Sequence, residues 1–567
     1  MATERCAYGN VIVTGLRGGI PLFVALLSSL ANAQTAPATY WIQFTDKSST
    51  PYSISAPEQY LSQRAIDRRQ RQSIAIDQSD LPVDPAYVSA LLAAGNFQLV
   101  NVSKWFNAIT IRSTDTLALD TIGQLPFVLQ IRATGGRVHR SAGEGKFPSF
   151  VKQEIGDEYA TRYGASFRQI EMMNGHLLHE EGARGEGMLI GVLDSGFDQA
   201  DSLWPFAELR ARGGIVLTRD MAYHDGDVYS DNYHGRSVLS CMAGHWPGKL
   251  LGTAPQADYV LLRTEVAENE FLWEEDNWVA GAELCDSIGC DVLNTSLGYT
   301  QYDDSTTDHT YADMDGRTAR ISIAATMAAR KGMIPVNSAG NSGNNPWHFI
   351  SAAADADSIL AVGAVGNNRV PVSFSSYGPS ADGRVKPDVA AVGLGAIGLG
   401  ADGTQVQGIN GTSFSSPITC GLVACLWQLH PDKSGQEIIH AVRMSASRHN
   451  DPDDRIGYGI PDFYRAHLLL DGSDRTNLEG NFILGTYPSP FADHFQVELF
   501  TGEATQLDLQ LADALGRVVW TATDFLEPHT YKIIRVGDAT LSVLPAGAYV
   551  LRSKLGSFTD MVVVVKE

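Results

Sequence analysis

The apolar positions change period several times along this chain, and each change marks an element. In MLIGVLD, residues 188–194, they run almost unbroken to an acid followed by Ser195 and Gly196. That is the pattern of a strand buried on both faces of a parallel sheet, with Asp194 at its carboxyl end. MIPVNSAG, 333–340, is a second such run, closing on small residues. After His234 the set Val238, Leu239, Cys241, Met242 and Ala243 suits a buried helix beginning at the histidine. After Ser413 the set Ile418, Leu422, Val423, Leu426 and Trp427 falls at helical spacing. Proline is tolerated in a first turn, so Pro417 puts that helix start at Ser413. The alternation predicts an α/β fold, a doubly wound and mostly parallel sheet over residues 160–468.

The flanks have other periods. YWIQF, FQLV, FNAITI and FVLQI read as strands, and 57–72 and 85–95 as helices, giving a small α+β unit over 34–145. HFQVELF, QLDLQLADALGRVVW, TYKIIRVG, GAYVLRS and DMVVVVKE are strand-sized runs between turn signals. They predict an all-β antiparallel sandwich over 480–567. At the start, Arg17 precedes the apolar run 20–33, which ends Ala31-Asn32-Ala33. This reads as a signal peptide over 1–33, and the run is shorter than the ~20 residues that span a bilayer. The mature chain is therefore expected to be exported without a transmembrane anchor. Segment 141–160 has the Gly, Ser and Pro content of an exposed linker.

Composition narrows the function classes. The chain has 567 residues, 44% hydrophobic and 19% charged, with 42 basic against 64 acidic side chains and a formal charge of −22. Such a balance argues against nucleic acid as a partner, and the Arg-rich helix at 57–72 reads as a solvated face. Of six cysteines, Cys6 falls in the signal, leaving an odd number. Cys241, Cys420 and Cys425 fall in the apolar helices and read as buried; Cys285 and Cys290 stand close enough to pair across a helix end, a bond the sequence does not establish. No zinc-ligand spacing is present. The acidic loops 223–231 and 302–316 are oxygen-rich and of a kind that holds structural calcium, yet they do not match a twelve-residue calcium loop. They read as solvated faces, no metal ligand is assigned, and no cofactor is expected for the chemistry.

The chemistry lies in four strings in fixed order: GVLDSG at 191–196, HGRSVLSCMAG at 234–244, NSAGNSG at 337–343 and NGTSFSSP at 410–417. They supply an acid, an imidazole, an amide and a hydroxyl. Asp, His, Ser is one of the unrelated chain orders on which one nucleophilic triad geometry recurs. An acid at a strand end can hold a histidine's Nδ1 proton, and a serine at a helix start has free backbone N–H groups beside it. Arg236, two residues after the histidine, is expected near the cleft, where it would act on His234 electrostatically or favour acidic substrate residues.

The strings resemble those of the subtilisin-like serine peptidases over roughly residues 160–465. The resemblance implies Asp194 as orienting acid, His234 as general base, Ser413 as nucleophile and Asn341 as the side-chain donor of the oxyanion hole. DVLNTSLGY, 291–299, resembles the family strand whose Ser296, Leu297 and Gly298 would bind the substrate backbone. Its members hydrolyse peptide bonds in proteins and peptides, and the unit at 34–145 resembles their propeptides, which act as inhibitors. Tyr487 to Phe491, Asp513 to Arg517, Leu544 to Tyr549 and Lys566 resemble the C-terminal sorting domain of type IX secretion cargo. That implies the type IX machinery as a partner and export across an outer membrane to the medium or cell surface. The rival readings are a binding protein that kept the fold without turnover, separable by Ser413→Ala, and a small-molecule ester or amide hydrolase.

Overall fold

The computed structural model describes residues 38–135, 150–151, 162–471, 481–487, 491, 494–501, 504–526, 530–537 and 539–566. The signal peptide, most of the 141–160 linker and Pro488 to Pro490 lie outside the described residues.

The N-terminal unit comprises β1 (Ala38–Phe44), α1 (Gln63–Arg71), α2 (Pro85–Ala93), β2 (Gln98–Ser103), β3 (Ala108–Ser113), α3 (Thr116–Ile122) and β4 (Val128–Gly135). Its four strands form an antiparallel sheet in the order β2-β3-β1-β4. Ile42, Phe44, Ile109 and Ile111 pack with Val83, Leu91 and Ile122 into its core. The expected helix over 57–72 is broken: a short 3-10 turn covers Pro57–Gln59, and α1 starts only after Ser62, whose Oγ accepts from the amide of Ala65 at 3.1 Å.

A two-residue strand β5 (Phe150–Val151) precedes the large domain. There follow α4 (Phe167–Glu171), α5 (Gly175–Glu180), β6 (Leu189–Asp194), α6 (Ala207–Ala211), β7 (Ile215–Asp220), α7 (His234–Ala243), β8 (His245–Trp246), β9 (Leu250–Leu251) and β10 (Asp258–Arg263). Then come α8 (Trp273–Ile288), β11 (Val292–Thr295), α9 (Arg320–Arg330), β12 (Ile334–Ser338), β13 (Leu360–Gly366), β14 (Val389–Leu399), β15 (Val406–Asn410), α10 (Thr412–Leu429), α11 (Gly435–Ser445) and α12 (Phe463–Leu470). One mixed sheet runs β5-β15-β14-β13-β12-β11-β6-β10-β7. Its pairs from β14 through to β7 are parallel, whereas β15 is antiparallel to both β14 and β5.

Side chains alternate across a strand, so each run supplies two cores. Ile190 and Val192 of β6 join Val238 and Leu239 of α7 and Ile418 and Leu422 of α10 on one face. Leu189 and Leu193 join Trp278 and Ala282 of α8 and Ile321 and Ala325 of α9 on the other. Helices thus cover both faces, and the carboxyl ends of β6, β10, β11 and β12 come together along one edge.

The C-terminal region adds β16 (Asn481–Tyr487), β17 (Phe495–Thr501), β18 (Thr505–Ala512), β19 (Val518–Leu526), β20 (Thr530–Val536), a short α13 (Ala539–Ser542), β21 (Gly547–Leu555) and β22 (Phe558–Lys566). Two antiparallel sheets, β16-β17-β20 and β19-β18-β21-β22, share one apolar core that includes Val497 and Leu499 of the first and Leu507, Leu509 and Leu551 of the second. Among the described residues no helix is long and apolar enough to cross a membrane.

Two expectations fail here. Arg68 and Arg69 of α1 are not a solvated face: both are fully buried where α1 meets α8. Arg68 donates to the Asp286 carboxylate at 2.5 Å, and Arg69 to Asp286 at 2.7 Å and Asp80 at 3.0 Å. The partner Asp286 stands more than two hundred residues downstream, beyond the reach of any local pattern. The loop 302–316 is not simply solvated either. Tyr302 and Met314 are buried, and the Glu275 carboxylate of α8 takes bonds from Tyr302 and His309 at 2.5 and 2.6 Å.

Candidate active site

The site is built at the carboxyl edge of the sheet, where open α/β sheets place their ligands. β6 ends on Asp194, which is fully buried. Its Oδ1 accepts from the amide of Ser195 at 2.8 Å and lies 2.7 Å from His234 Nδ1. His234 opens α7, and its backbone amide, one of the orphan donors of a helix start, is taken by Asn232 Oδ1 at 2.8 Å. The same Oδ1 accepts from Ser195 Oγ, so Asn232 joins the acid's loop to the histidine's helix. Gly235 permits this approach: a Cβ there would stand 2.8 Å from Asp194 Cβ and 2.5 Å from the carbonyl of Gly196.

Ser413 lies in the first turn of α10, capped by Gly411 at φ 139°, a conformation that side chains resist. Pro417 sits a turn deeper than the sequence suggested, inside the helix. Proline has no N–H, so the carbonyl of Ser413, four residues back, loses its helical donor. Ser296 Oγ supplies one instead, at 2.8 Å. Ser413 Oγ in turn donates to the carbonyl of Ser296 at 3.3 Å. The nucleophile candidate is thereby tied in both directions to the residue just beyond β11. The adjoining Phe414 ring lies 5.7 Å from the His234 ring, which brings the start of α10 against the imidazole.

Asn341 follows β12. Its Oδ1 accepts from the backbone amide and hydroxyl of Thr412 at 2.9 and 3.1 Å. With the oxygen so held, the carboxamide is oriented and its Nδ2 donors are left for an outside acceptor; the residue is exposed. Ser296 and Leu297 are buried, while Gly298 is exposed at the rim. A side chain at 298 would meet Ser351 Oγ at 2.1 Å, so this stretch keeps its backbone bare. The structure therefore brings Asp194, His234, Ser413, Asn341 and Ser296 to Gly298 onto one edge. Sequence reasoning missed Asn232 and Thr412; an Asn two residues before the histidine and a Thr just before the serine were the available signals.

Arg236 departs from expectation. Two positions along a helix point a side chain to the far side, so it faces away from His234. It is fully buried, donating to the carbonyl and carboxylate of Asp198 at 3.0 and 3.1 Å and to the carbonyls of Gly400 and Ala401 at 2.8 and 2.6 Å. It clamps two loops and has no substrate to meet.

The acidic loop at 223–231 turns on Asp220, whose carboxylate accepts from the amides of Ala222, Tyr223 and Asp225. Among the described residues, carboxylate oxygens of Glu265, Glu270 and Glu274 come within 4.8 Å of one another, a group that no sequence reading singled out. Glu274 takes the amides of Val266 and Phe271 at 2.6 and 2.7 Å, and Tyr299 donates to Glu265 at 2.6 Å. A cavity of about 380 Å³ lined by Arg184, Glu208, His245 and Gln256 lies toward the amino ends of β6 and β10, away from this edge.

Residues 185–459 match the Subtilase family, and residues 39–146 match the peptidase S8 propeptide domain of Bacteroidota. The chain is 26% identical to the serine protease AprX of Bacillus subtilis over 340 residues, 55% of this chain and 71% of AprX. It is 27% identical to subtilisin DY of Bacillus licheniformis over 286 residues, 50% of this chain and 92% of that protein. Among solved structures, MycP1 from Mycobacterium smegmatis superposes with a TM-score of 0.43 at 22% identity, covering 57% of this chain and 89% of MycP1.

Proposed function

Carrying a subtilase-family domain behind a peptidase S8 propeptide domain, the chain is a serine endopeptidase, and we propose that Ser413, His234 and Asp194 are its nucleophile, base and orienting acid. The observation that carries the assignment is the buried 2.7 Å contact of His234 Nδ1 with Asp194 Oδ1, set against the helix start that bears Ser413.

In this reading Ser413 Oγ attacks the scissile carbonyl carbon while its proton passes to His234 Nε2. Charge gathers on the carbonyl oxygen, where the Asn341 Nδ2 and the Ser413 backbone N–H donate to it. The proton then moves from His234 to the leaving amine nitrogen, the C–N bond breaks, and an acyl-enzyme remains. Water gives a proton to the same imidazole, attacks the ester, and restores Ser413. Asp194 keeps Nδ1 protonated and offsets the imidazolium charge. No cofactor takes part in these steps. The bare stretch Ser296 to Gly298 binds the substrate as an added strand, main chain to main chain.

The N-terminal unit is the inhibitor of the same domain. Its tie to α8 supports this: the Glu283 carboxylate accepts from Ser103 Oγ at 2.6 Å and from the amides of Lys104 and Trp105 at 2.7 and 3.0 Å. Of the linker 141–160, Phe150 and Val151 are described, and they pair with Ile409 and Gly408 just ahead of Ser413. That pairing supports a processing point within or beside the linker. The C-terminal sandwich serves export by the type IX machinery, a reading supported by its motif turns: Arg517 closes on Asp513 at 2.7 Å, and Tyr549 on the carbonyl of Pro545 at 2.8 Å. Deleting 480–567 should trap the enzyme behind the outer membrane, and unchanged release would refute the sorting role.

The decisive comparison is full-length chain against Ser413→Ala, incubated with and without casein and read by mass spectrometry. Only the unmodified chain is expected to cut casein and shed its N-terminal unit. If neither protein cuts, even with residues 34–145 removed, the triad assignment is wrong.

A further inference from the structure

Cys285 and Cys290 flank the end of α8, and the backbone there has a specific form. Gly289 stands at φ 91°; its amide bonds the carbonyl of Asp286 at 3.2 Å, and the amide of Cys290 bonds that of Cys285 at 2.9 Å. This pair of bonds defines a Schellman motif, whose two side chains at these positions characteristically touch. Here both are free thiols, both fully buried in one cluster, at the two positions the motif sets against each other. Their pocket is made by Gly191 and Leu293: a Cβ at Gly191 would lie 2.5 Å from Cys285 Sγ. The other three described cysteines, Cys241, Cys420 and Cys425, pack in the core on the opposite face of the sheet. No route through the sheet lets either thiol choose a different partner.

We propose that Cys285 and Cys290 are a disulfide pair, closed during folding by exchange with a small or protein disulfide donor, which staples the last turn of α8 at the seat of the N-terminal unit. One thiolate attacks the donor, releasing one donor thiol; the second displaces the other, forming the Cys285–Cys290 bond. Two cysteine protons end on the two donor sulfurs, and the donor is reduced. The exchange belongs to folding because burial, followed by the adjacent Cys285 thiol, holds the Cys290 thiol well above its ordinary range once packed. Such a thiol is a poor attacking group. Packing equally shields the finished bond from reductants.

The location gives the staple its use. Arg64 donates to the carbonyl of Gly289 at 2.9 Å and Arg68 to that of Cys290, while Arg68 and Arg69 share Asp286. All three acceptor residues lie in or beside the six-residue ring the bond would close. Closing it fixes the array that α1 grips.

The test uses the full chain carrying Ser413→Ala, refolded with glutathione disulfide, denatured in iodoacetamide without reductant, and digested for mass spectrometry. The peptide spanning 285–290 is expected unalkylated and about 2 Da lighter than its reduced form, the mass of two hydrogens. It should gain two alkyl groups only after reduction, while Cys241, Cys420 and Cys425 alkylate throughout. Native protein exposed to dithiothreitol before denaturation should keep the light peptide. Alkylation of both residues without reductant, or a bond from either to another cysteine, overturns the proposal. If the Ser413→Ala chain does not fold, wild type inactivated by a sulfonyl fluoride serves, since the readout involves no catalysis and is independent of the peptidase assignment.

Discussion

At the scale of single residues the site works by removing alternatives. Asn341 can present its amide outward because Thr412 occupies its oxygen. Asn341→Ala is therefore expected to lower kcat about a hundred- to a thousandfold with little change in KM, roughly 2.7–4 kcal/mol of transition-state stabilisation. Initial rates on a peptide substrate will read it. Thr412→Val, which removes the hydroxyl bond and leaves only the backbone amide of residue 412 to hold the carboxamide oxygen, should give a smaller loss of the same kind. Arg236 belongs to stability. Replacing it by Leu strands Asp198 and the carbonyls of Gly400 and Ala401, and about 2–3 kcal/mol should be lost in urea unfolding. The acid limb of the rate profile should not move; a shifted limb would return Arg236 to the cleft.

At the scale of elements, helices and strands carry the chemistry to one edge, and much of this was legible. β6 and β12 were readable because a strand buried on both faces needs an unbroken apolar run, and α7 and α10 because their apolar residues keep helical spacing. Illegible were groups whose reason lies elsewhere in the chain. Pro417 looked like a first-turn residue because local rules cannot know that Ser296 replaces the lost donor. His309 and Glu275 are a second case. Burial alone would raise Glu275, but His309 beside it, with its hydrogen bond, pulls the carboxyl down to about 2. Burial alone would lower His309, and Glu275 outweighs it, leaving the imidazole raised. The carboxylate's contribution is present above its unfolded value and is lost as pH falls through about 2. The imidazole's contribution is complete below its unfolded value of 6.5 and is lost as pH rises through the raised folded one. The pair should thus hold the 302–316 loop to α8 best in mildly acid solution. His309→Gln should lower stability near pH 6 and narrow its difference from wild type near pH 9. A difference that is constant with pH would contradict the pairing.

At the scale of the whole molecule the precursor is held together by charge taken out of water. Arg68, Arg69 and Lys104 meet Asp286, Lys331 meets Asp80, and Glu283 takes three donors. A buried ion pair is costly to break from one side, since the stranded partner keeps its desolvation penalty. Arg68→Ala should therefore weaken inhibition by the N-terminal unit added in trans by tenfold or more, with catalysis by the separated domain unaffected. An inhibition constant within about twofold of wild type would deny this network its part in holding the unit. The α+β character of that unit was readable from its own strands; its docking was not, because α1 looks solvated until Asp286 is placed beneath it.

Maturation follows from the same contacts. When the N-terminal unit leaves, Glu283 and Asp286 of α8 lose their cationic, hydroxyl and amide partners together, and Asp291 beside them loses Arg64 while keeping the amide of Leu189. The protein that emerges carries a freshly uncovered acidic scar on α8, close to the sheet that holds its catalytic machinery. Its persistence will then depend on the counter-ions of the medium that screen this face. Activation exchanges an internally neutralised inhibitor for the salt of the environment.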